Sequence, residues 1–372
     1  MALLPAYRPL VLFILLFSFS GTAFCITESD CAPVRLDQNG GPFQTLPIYN
    51  QTDNVGTDTG MCYAISASQL IDAKRMKLGK FDGKLTSPAS LALNWVNHFL
   101  SPEELANNRQ NRETFRKPIK ENLIEGKGIA STLYGNFGKL TPAIEASRNK
   151  HVCDETWLKK QSIISSENHD KMFSQIFSLI DEQFEAESNI DRVYKKILSI
   201  NSQANSTGCA DSKGNLNQIQ DILEAIKKAT EHIKPERQAK AFIDRICKDH
   251  SVYVDVPEPK ELICFQKKCK DEQERSLNDL ISSPDFAGVG MHYDPNILFK
   301  ENGPIGGSHV SVIIGRRYDN EAGRCMVLIR DTYGSDCKAP RLNMKYKNCE
   351  NGQHWIPIED VVNSSVSLTY FE

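Results

Sequence analysis

The chain has no excess of charge of either sign, with 44 Lys+Arg against 47 Asp+Glu in 372 residues and a formal charge of −3. Proteins that grip DNA or RNA concentrate basic side chains on one stripe or face. Here Lys and Glu alternate throughout, so nucleic acid is excluded as a partner. Long apolar runs are equally scarce. Beyond the first two dozen residues no stretch approaches the roughly 18 apolar residues a spanning helix needs, and no membrane-spanning segment is expected. Paired metal-ligand clusters are missing too. Cys264-Phe265-Gln266-Lys267-Lys268-Cys269 has no second cysteine pair with a neighbouring histidine, so it reads as a disulfide loop; no metal or cofactor is expected. Finally, the composition is neither poor in apolar residues nor overloaded with charge: 40% hydrophobic and 24% charged residues rule out a disordered chain and can fill about two domains.

Cysteine, by contrast, is plentiful. Eleven cysteines are many for a reducing compartment, and an odd number leaves at least one thiol outside any intramolecular disulfide. The N-terminus accounts for the compartment. Arg8 precedes the apolar run Leu10 to Phe17, and small residues follow up to Gly21-Thr22-Ala23, the pattern of a secretory signal peptide over 1–23. Cleavage after Ala23 is expected, giving a secreted or periplasmic protein whose other cysteines, Cys25 included, form up to five disulfides. Cys337 with Cys349 is a plausible local pair.

Organisation along the chain divides the remainder into three parts. Residues 24–100 form a loop-rich lead-in, with a short strand expected near Thr45–Tyr49, followed by a helix starting at or just before Cys62 and a second one after Ser87-Pro88. Residues 101–275 read as a mainly helical insertion: Phe173, Ile176, Phe177, Ile180 and Phe184, and again Leu216, Ile219, Leu223 and Ile226, recur at helical spacing. Residues 276–372 turn strand-like, with candidate strands at 286–293, 309–315, 325–331 and 366–370. Helices first and antiparallel strands last make an α+β chain.

Three residues stand out chemically. A cysteine at a helix N-terminus sits against unpaired N–H groups and the positive end of the helix dipole, which favour thiolate over thiol. Cys62 occupies such a place. Thiol nucleophiles need a nearby base and a third group to orient it, both commonly supplied from distant sequence. His309 heads an apolar strand, and Asp331 ends the following one, 22 residues later; a hairpin would bring those two ends together.

Gly60-Met61-Cys62-Tyr63-Ala64 resembles the nucleophile segment C-G-[SA]-C-[WY] of the papain family of cysteine peptidases. Ser308-His309 with the apolar run to Gly315 is similar to the family's histidine strand, and Arg330-Asp331-Thr332-Tyr333-Gly334 to its Lys-Asn-Ser-Trp-Gly segment, Asp331 replacing the orienting Asn. The resemblance covers about half the chain, residues 45–100 and 280–372. It implies a papain-like α+β fold, a central helix carrying Cys62, a C-terminal antiparallel half-barrel, and a Cys62–His309–Asp331 triad acting on a peptide or protein substrate. Cys62 and His309 are 247 residues apart against about 130–150 in the family, and the surplus coincides with the helical insertion. The family's oxyanion-hole Gln has no counterpart in register, where Gly56 stands. Gln51 takes that part if the intervening loop bulges, and Asn54 is the second candidate. Two other readings share these residues: a papain-fold amidase or acyltransferase on a non-protein amide, and a catalytically silent papain-fold binding protein.

Overall fold

The computed structural model of the chain describes residues 31–51, 61–99, 140–160, 244, 247–264, 269–294, 309–337 and 348–372. The expected signal segment, the two expected amphipathic helices of the insertion, Cys25 and Cys209 lie outside the described residues.

The molecule is built around one buried helix. Helix α1 (Cys62–Lys77) is buried at every position from Cys62 to Arg75. A helix enclosed on all sides has no polar face to preserve, so its small residues matter more than its periodicity. Ala64, Ser66, Ala67 and Ala73 let neighbouring elements approach its axis, while Leu70 and Ile71 fill the gaps between them. Lys74, Arg75 and Lys77 crowd the last turn, where positive charge complements the helix dipole. Helix α2 (Pro88–Phe99) starts with proline, a residue suited to the first helical turn, and packs with the short helix α3 (Leu140–Ser147) against α1.

The one buried acid on α1, Asp72, fastens this helical layer. It takes the Thr86 N–H at 2.8 Å, the Thr86 hydroxyl at 2.6 Å and the Arg75 guanidinium at 2.9 Å. Burial outweighs these partners and pushes its carboxyl up to about 6.

Against the helices lies an eight-stranded sheet, antiparallel throughout. Its strands are β1 (Val34–Arg35), β4 (Pro259–Ile263), β5 (Val289–Tyr293), β6 (His309–Asp319), β7 (Arg324–Arg330), β8 (Cys349–Glu350), β9 (Gln353–Pro357) and β10 (Ser365–Phe371). The order is β4-β10-β5-β6-β7-β9-β8, with β1 also pairing to β6. A separate ribbon pairs β2 (His151–Cys153) with β3 (Ser251–Tyr253), and helix α4 (Glu155–Lys160) follows β2. Helix α5 (Lys270–Ser282) packs on α6 (Ile358–Ser364), which rests on β7 and β9. The seam between α1 and the sheet is close. A Cβ placed on Gly290 would stand 3.0 Å from Leu70 Cδ1 and nearer still to Leu140 Cδ2, so any other residue here would have to push these leucine ends aside.

The expected mixture of helices and antiparallel strands is present, with three differences in detail. Thr45–Tyr49 forms no strand; the chain there is tied to another segment by the Gly334 N–H, which donates to the Tyr49 carbonyl, and by a single bridge between Asn50 and Tyr333. Strand β9 and helix α6 were not expected, because Gln353-His354-Trp355-Ile356-Pro357 lacks polar alternation and α6 has only seven residues. Residues 101–275, expected as mainly helical, contain among their described parts the strands β2, β3 and β4, and β4 is an edge of the main sheet.

Four disulfides join Cys31 to Cys325, Cys153 to Cys247, Cys264 to Cys269 and Cys337 to Cys349. The Cys337 pair matches the expected local bridge, and the Cys264 pair the expected disulfide loop. Among the described residues no helix is long and apolar enough to cross a membrane.

Candidate active site

Cys62 opens α1 and is the free cysteine among the described residues. Met61 caps the helix through its backbone, its carbonyl accepting from the Ala64 and Ile65 N–H groups at 3.0 Å each, with no side-chain hydrogen bond. Ser66, one turn along, donates to the Val310 carbonyl at 3.3 Å, tying the start of the helix to the start of β6. Cys62 is thereby set beside His309, close enough for hydrogen bonding and direct charge interaction with the imidazole.

The position of Asp331 depends on strand register. Strands β6 and β7 form a hairpin whose turn is held by the Asp319 carboxylate, which accepts from the Glu321 and Ala322 N–H groups at 3.0 Å each. From the turn inward the pairing runs Asp319↔Arg324 through Gly315↔Leu328, then resumes as Ile313↔Ile329 and Val312↔Arg330. One extra residue, Ile314, is accommodated in β6 as a bulge. Side chains alternate faces with period two, so this single residue moves Asp331 from the face of Val312 to the face of Ser311 and His309. Without the bulge the acid would point to the other side of the sheet.

The resulting cluster is compact. His309 Nε2 lies 2.7 Å from Asp331 Oδ1, which leaves Nδ1 as the ring nitrogen toward Cys62. The same Oδ1 accepts from the Ser311 hydroxyl at 3.1 Å and from the Thr332 N–H at 2.7 Å. Asp331 Oδ2 receives no hydrogen bond among the described residues. His309 is only 2% exposed and lies between two tyrosines: Tyr333 stacks on it with ring centroids 5.1 Å apart, and Tyr293 meets it edge-on at 5.4 Å. These rings prevent the imidazole from turning away from Asp331. On β9, buried His354 shares the Asp331 face, paired opposite Ile329, and neither of its ring nitrogens has a hydrogen-bond partner among the described residues.

Electrostatics follow from this packing. Burial alone would lower the His309 pKa, but the charges of Asp331 and Cys62 and their hydrogen bonds reverse that and raise it to about 10. Asp331 is the complementary case. Burial works against its charge, yet the His309 imidazolium, His354 and the Thr332 N–H together hold its carboxyl below the ordinary range. Burial, reinforced by the Asp331 charge, pushes the Tyr293 phenol well above its usual value, and burial pushes His354 down. At neutral pH the site therefore contains an imidazolium, a carboxylate and a neutral second imidazole.

Gln51 reaches the same place from the N-terminal segment. Its N–H donates to the Thr332 carbonyl at 2.8 Å, and its side-chain Oε1 accepts from the Thr332 hydroxyl at 2.7 Å. Arg330 secures this segment upstream by donating to the Phe43 carbonyl at 2.9 Å and the Leu46 carbonyl at 2.8 Å. The structure thus brings together Cys62, His309, Asp331 and, through Thr332, Gln51. Asn54 and Gly56 lie outside the described residues.

Four neighbours were not singled out from sequence: Ser311, Tyr293, Thr332 and His354. Ser311 had a usable signal, as a polar residue two places after His309 in an otherwise apolar strand, the spacing that returns a side chain to the same face. No group of three or more His, Cys, Asp or Glu side chains able to hold a metal ion occurs among the described residues.

No family model matches the chain, and no curated protein matches it. Among solved structures, xylellain, a cysteine protease from Xylella fastidiosa, is similar at a TM-score of 0.43 and 13% identity, over 91% of this chain and 85% of that one.

Proposed function

We propose that the chain is an exported cysteine peptidase of papain-like arrangement, cleaving peptide bonds through Cys62, His309 and Asp331. The observation that carries this reading is a free thiol at the start of a buried helix, beside an imidazole whose far nitrogen is hydrogen-bonded at 2.7 Å to a buried carboxylate. Four disulfides accord with an oxidising compartment and leave that one thiol unbridged among the described residues.

The chemistry follows from the arrangement. His309, raised to about 10, is an imidazolium at neutral pH beside Cys62, and the attacking species is the Cys62 thiolate with which it pairs. The thiolate attacks the carbonyl carbon of the scissile bond. The Cys62 N–H and the Gln51 amide hold the oxyanion, and the imidazolium protonates the leaving amine. Neutral His309 then deprotonates a water molecule that hydrolyses the thioester. Asp331 remains ionised throughout and keeps the ring oriented.

Iodoacetamide treatment near neutral pH, followed by mapping of the modified residue, tests the site. Selective labelling of Cys62 that His309→Ala abolishes is the expected result; Cys62 found in a disulfide refutes it. Cleavage of a peptide library then separates a peptidase from an amidase or acyltransferase acting on a non-protein amide. The silent-binding reading drew its support from the missing glutamine, and the position of Gln51 beside Thr332 favours the active one.

A further inference from the structure

Asp331 is enclosed in protein, and an enclosed carboxylate retains its charge only when donors surround it. Three donors converge on its Oδ1: the His309 ring, the Thr332 N–H and the Ser311 hydroxyl. The first belongs to the triad, and the second is a backbone group that any residue at 332 other than proline would supply. Ser311 is different. It lies in the buried stretch His309–Arg316 of β6, where a hydroxyl without partners is costly. Tyr293 Oη stands 3.1 Å from Ser311 Oγ and is itself buried on β5. Proton directions along this chain are determined. An ionised carboxylate can only accept, so the single Ser311 proton goes to Asp331, and the Tyr293 hydroxyl must donate to the Ser311 oxygen. Each bond in such a run polarises the next.

We propose that Tyr293 and Ser311 form a hydrogen-bonded relay that holds the Asp331 carboxylate with Oδ1 toward His309, making both of them positioning residues for the Cys62–His309 pair. The proposal rests on the peptidase reading above and deepens it, since a chain with aspartate in place of the usual asparagine must keep that aspartate ionised out of water. Among the described residues the polar and ionisable groups facing Asp331 are His309 and Ser311 from β6, Tyr293 from β5, His354 from β9 and its neighbour Thr332, while Cys62 from α1 interacts with His309 and Tyr293. Of these, the Ser311–Tyr293 pair can be altered without touching the reacting atoms or adding a charge.

The test measures the rate of Cys62 alkylation by iodoacetamide in the full-length protein against pH. Ser311→Ala removes a donor from the carboxylate, which then takes a proton at higher pH and ceases to hold the imidazolium. The acid limb is expected to move up by about one pH unit, and Ser311→Thr, which keeps the hydroxyl, is expected to restore it. Tyr293→Phe, which removes a single oxygen and preserves the ring against His309, is expected to shift the limb the same way by less, and it serves where Ser311→Ala fails to fold. In an Asp331→Asn background there is no carboxylate to titrate, so neither substitution is expected to move the limb. A purely structural hydroxyl pair would give the same change in both backgrounds, and that result overturns the relay. So do superimposable profiles for wild type, Ser311→Ala and Tyr293→Phe when wild-type alkylation depends on His309. A wild-type Cys62 whose reactivity is indifferent to His309→Ala overturns the peptidase reading, and the relay with it.

Discussion

His309 and Asp331 are linked by opposite shifts, and the pH dependence of the site follows from their signs. His309 is raised, so its contribution to folding is complete below the ordinary imidazole range, about 6.5, and is lost as pH rises through about 10. Asp331 is depressed, so its contribution is present above the ordinary carboxylate range and is lost as pH falls through its folded value. Activity is expected to be bounded on the alkaline side by loss of the imidazolium. Asp331→Asn removes the charge that opposes burial, and the alkaline limb of kcat/KM should come down by about 1–3 pH units, read from a pH–rate profile. An unmoved limb would mean that Asp331 does not set the state of His309. Gln51→Ala tests the oxyanion assignment: losing one such donor is expected to lower kcat by about 10²–10³ with little change in KM. At this scale the residue identities were legible in the sequence, because cysteine, histidine and aspartate announce their chemistry by type. Ser311 offered only its spacing from His309 and Tyr293 no signal, since serine and tyrosine are common residues that acquire meaning from what they touch.

At the scale of elements, α1 and the β6–β7 hairpin determine the geometry. Asp72 is the fastening of α1: Asp72→Ala would leave the buried Thr86 N–H and hydroxyl without their acceptor, while Arg75 keeps Asp82 and the Lys84 carbonyl, at an expected cost of about 1–3 kcal/mol in chemical denaturation. A loss under 1 kcal/mol would show that solvent takes the place of the carboxylate. Gly290→Ala probes the seam between helix and sheet. Its new methyl would collide with Leu140 and Leu70, and a destabilisation of about 1–3 kcal/mol is expected. The helix start at Cys62, the helix after Pro88 and the strands beginning at His309 and ending near Asp331 were readable from periodicity and turn residues. The bulge at Ile314 was not. A one-residue irregularity leaves the hydrophobic pattern of β6 almost unchanged, since both faces of that strand are buried and apolar alternation is absent.

For the whole molecule, the disulfides divide the cysteines into structural and reactive ones. Cys31–Cys325 spans a sequence separation of 294 and anchors the segment that leads to Gln51 against the start of β7. Replacing both cysteines by serine is expected to cost about 2–5 kcal/mol, seen as a lower denaturation midpoint. Titration of the native protein with a thiol reagent should return one reactive cysteine, Cys62; a second reactive thiol would break the expected pairing of the rest. The count of eleven implied a leftover thiol, but only the fold shows which cysteines approach within bonding distance.

Composition, spacing and residue type determined the chemistry available to this chain: a thiol, an imidazole and a carboxylate in strand and helix contexts that can meet, with Gln51 as the oxyanion candidate. Tertiary structure decided which way they face. A side chain's reactivity is a property of its own atoms and is written locally, whereas the face it occupies in a sheet depends on the register with a partner strand. In β6 that register changes at one residue, so the placement of Asp331 beside His309, with Ser311 and Tyr293 behind it, existed only once the strands had paired.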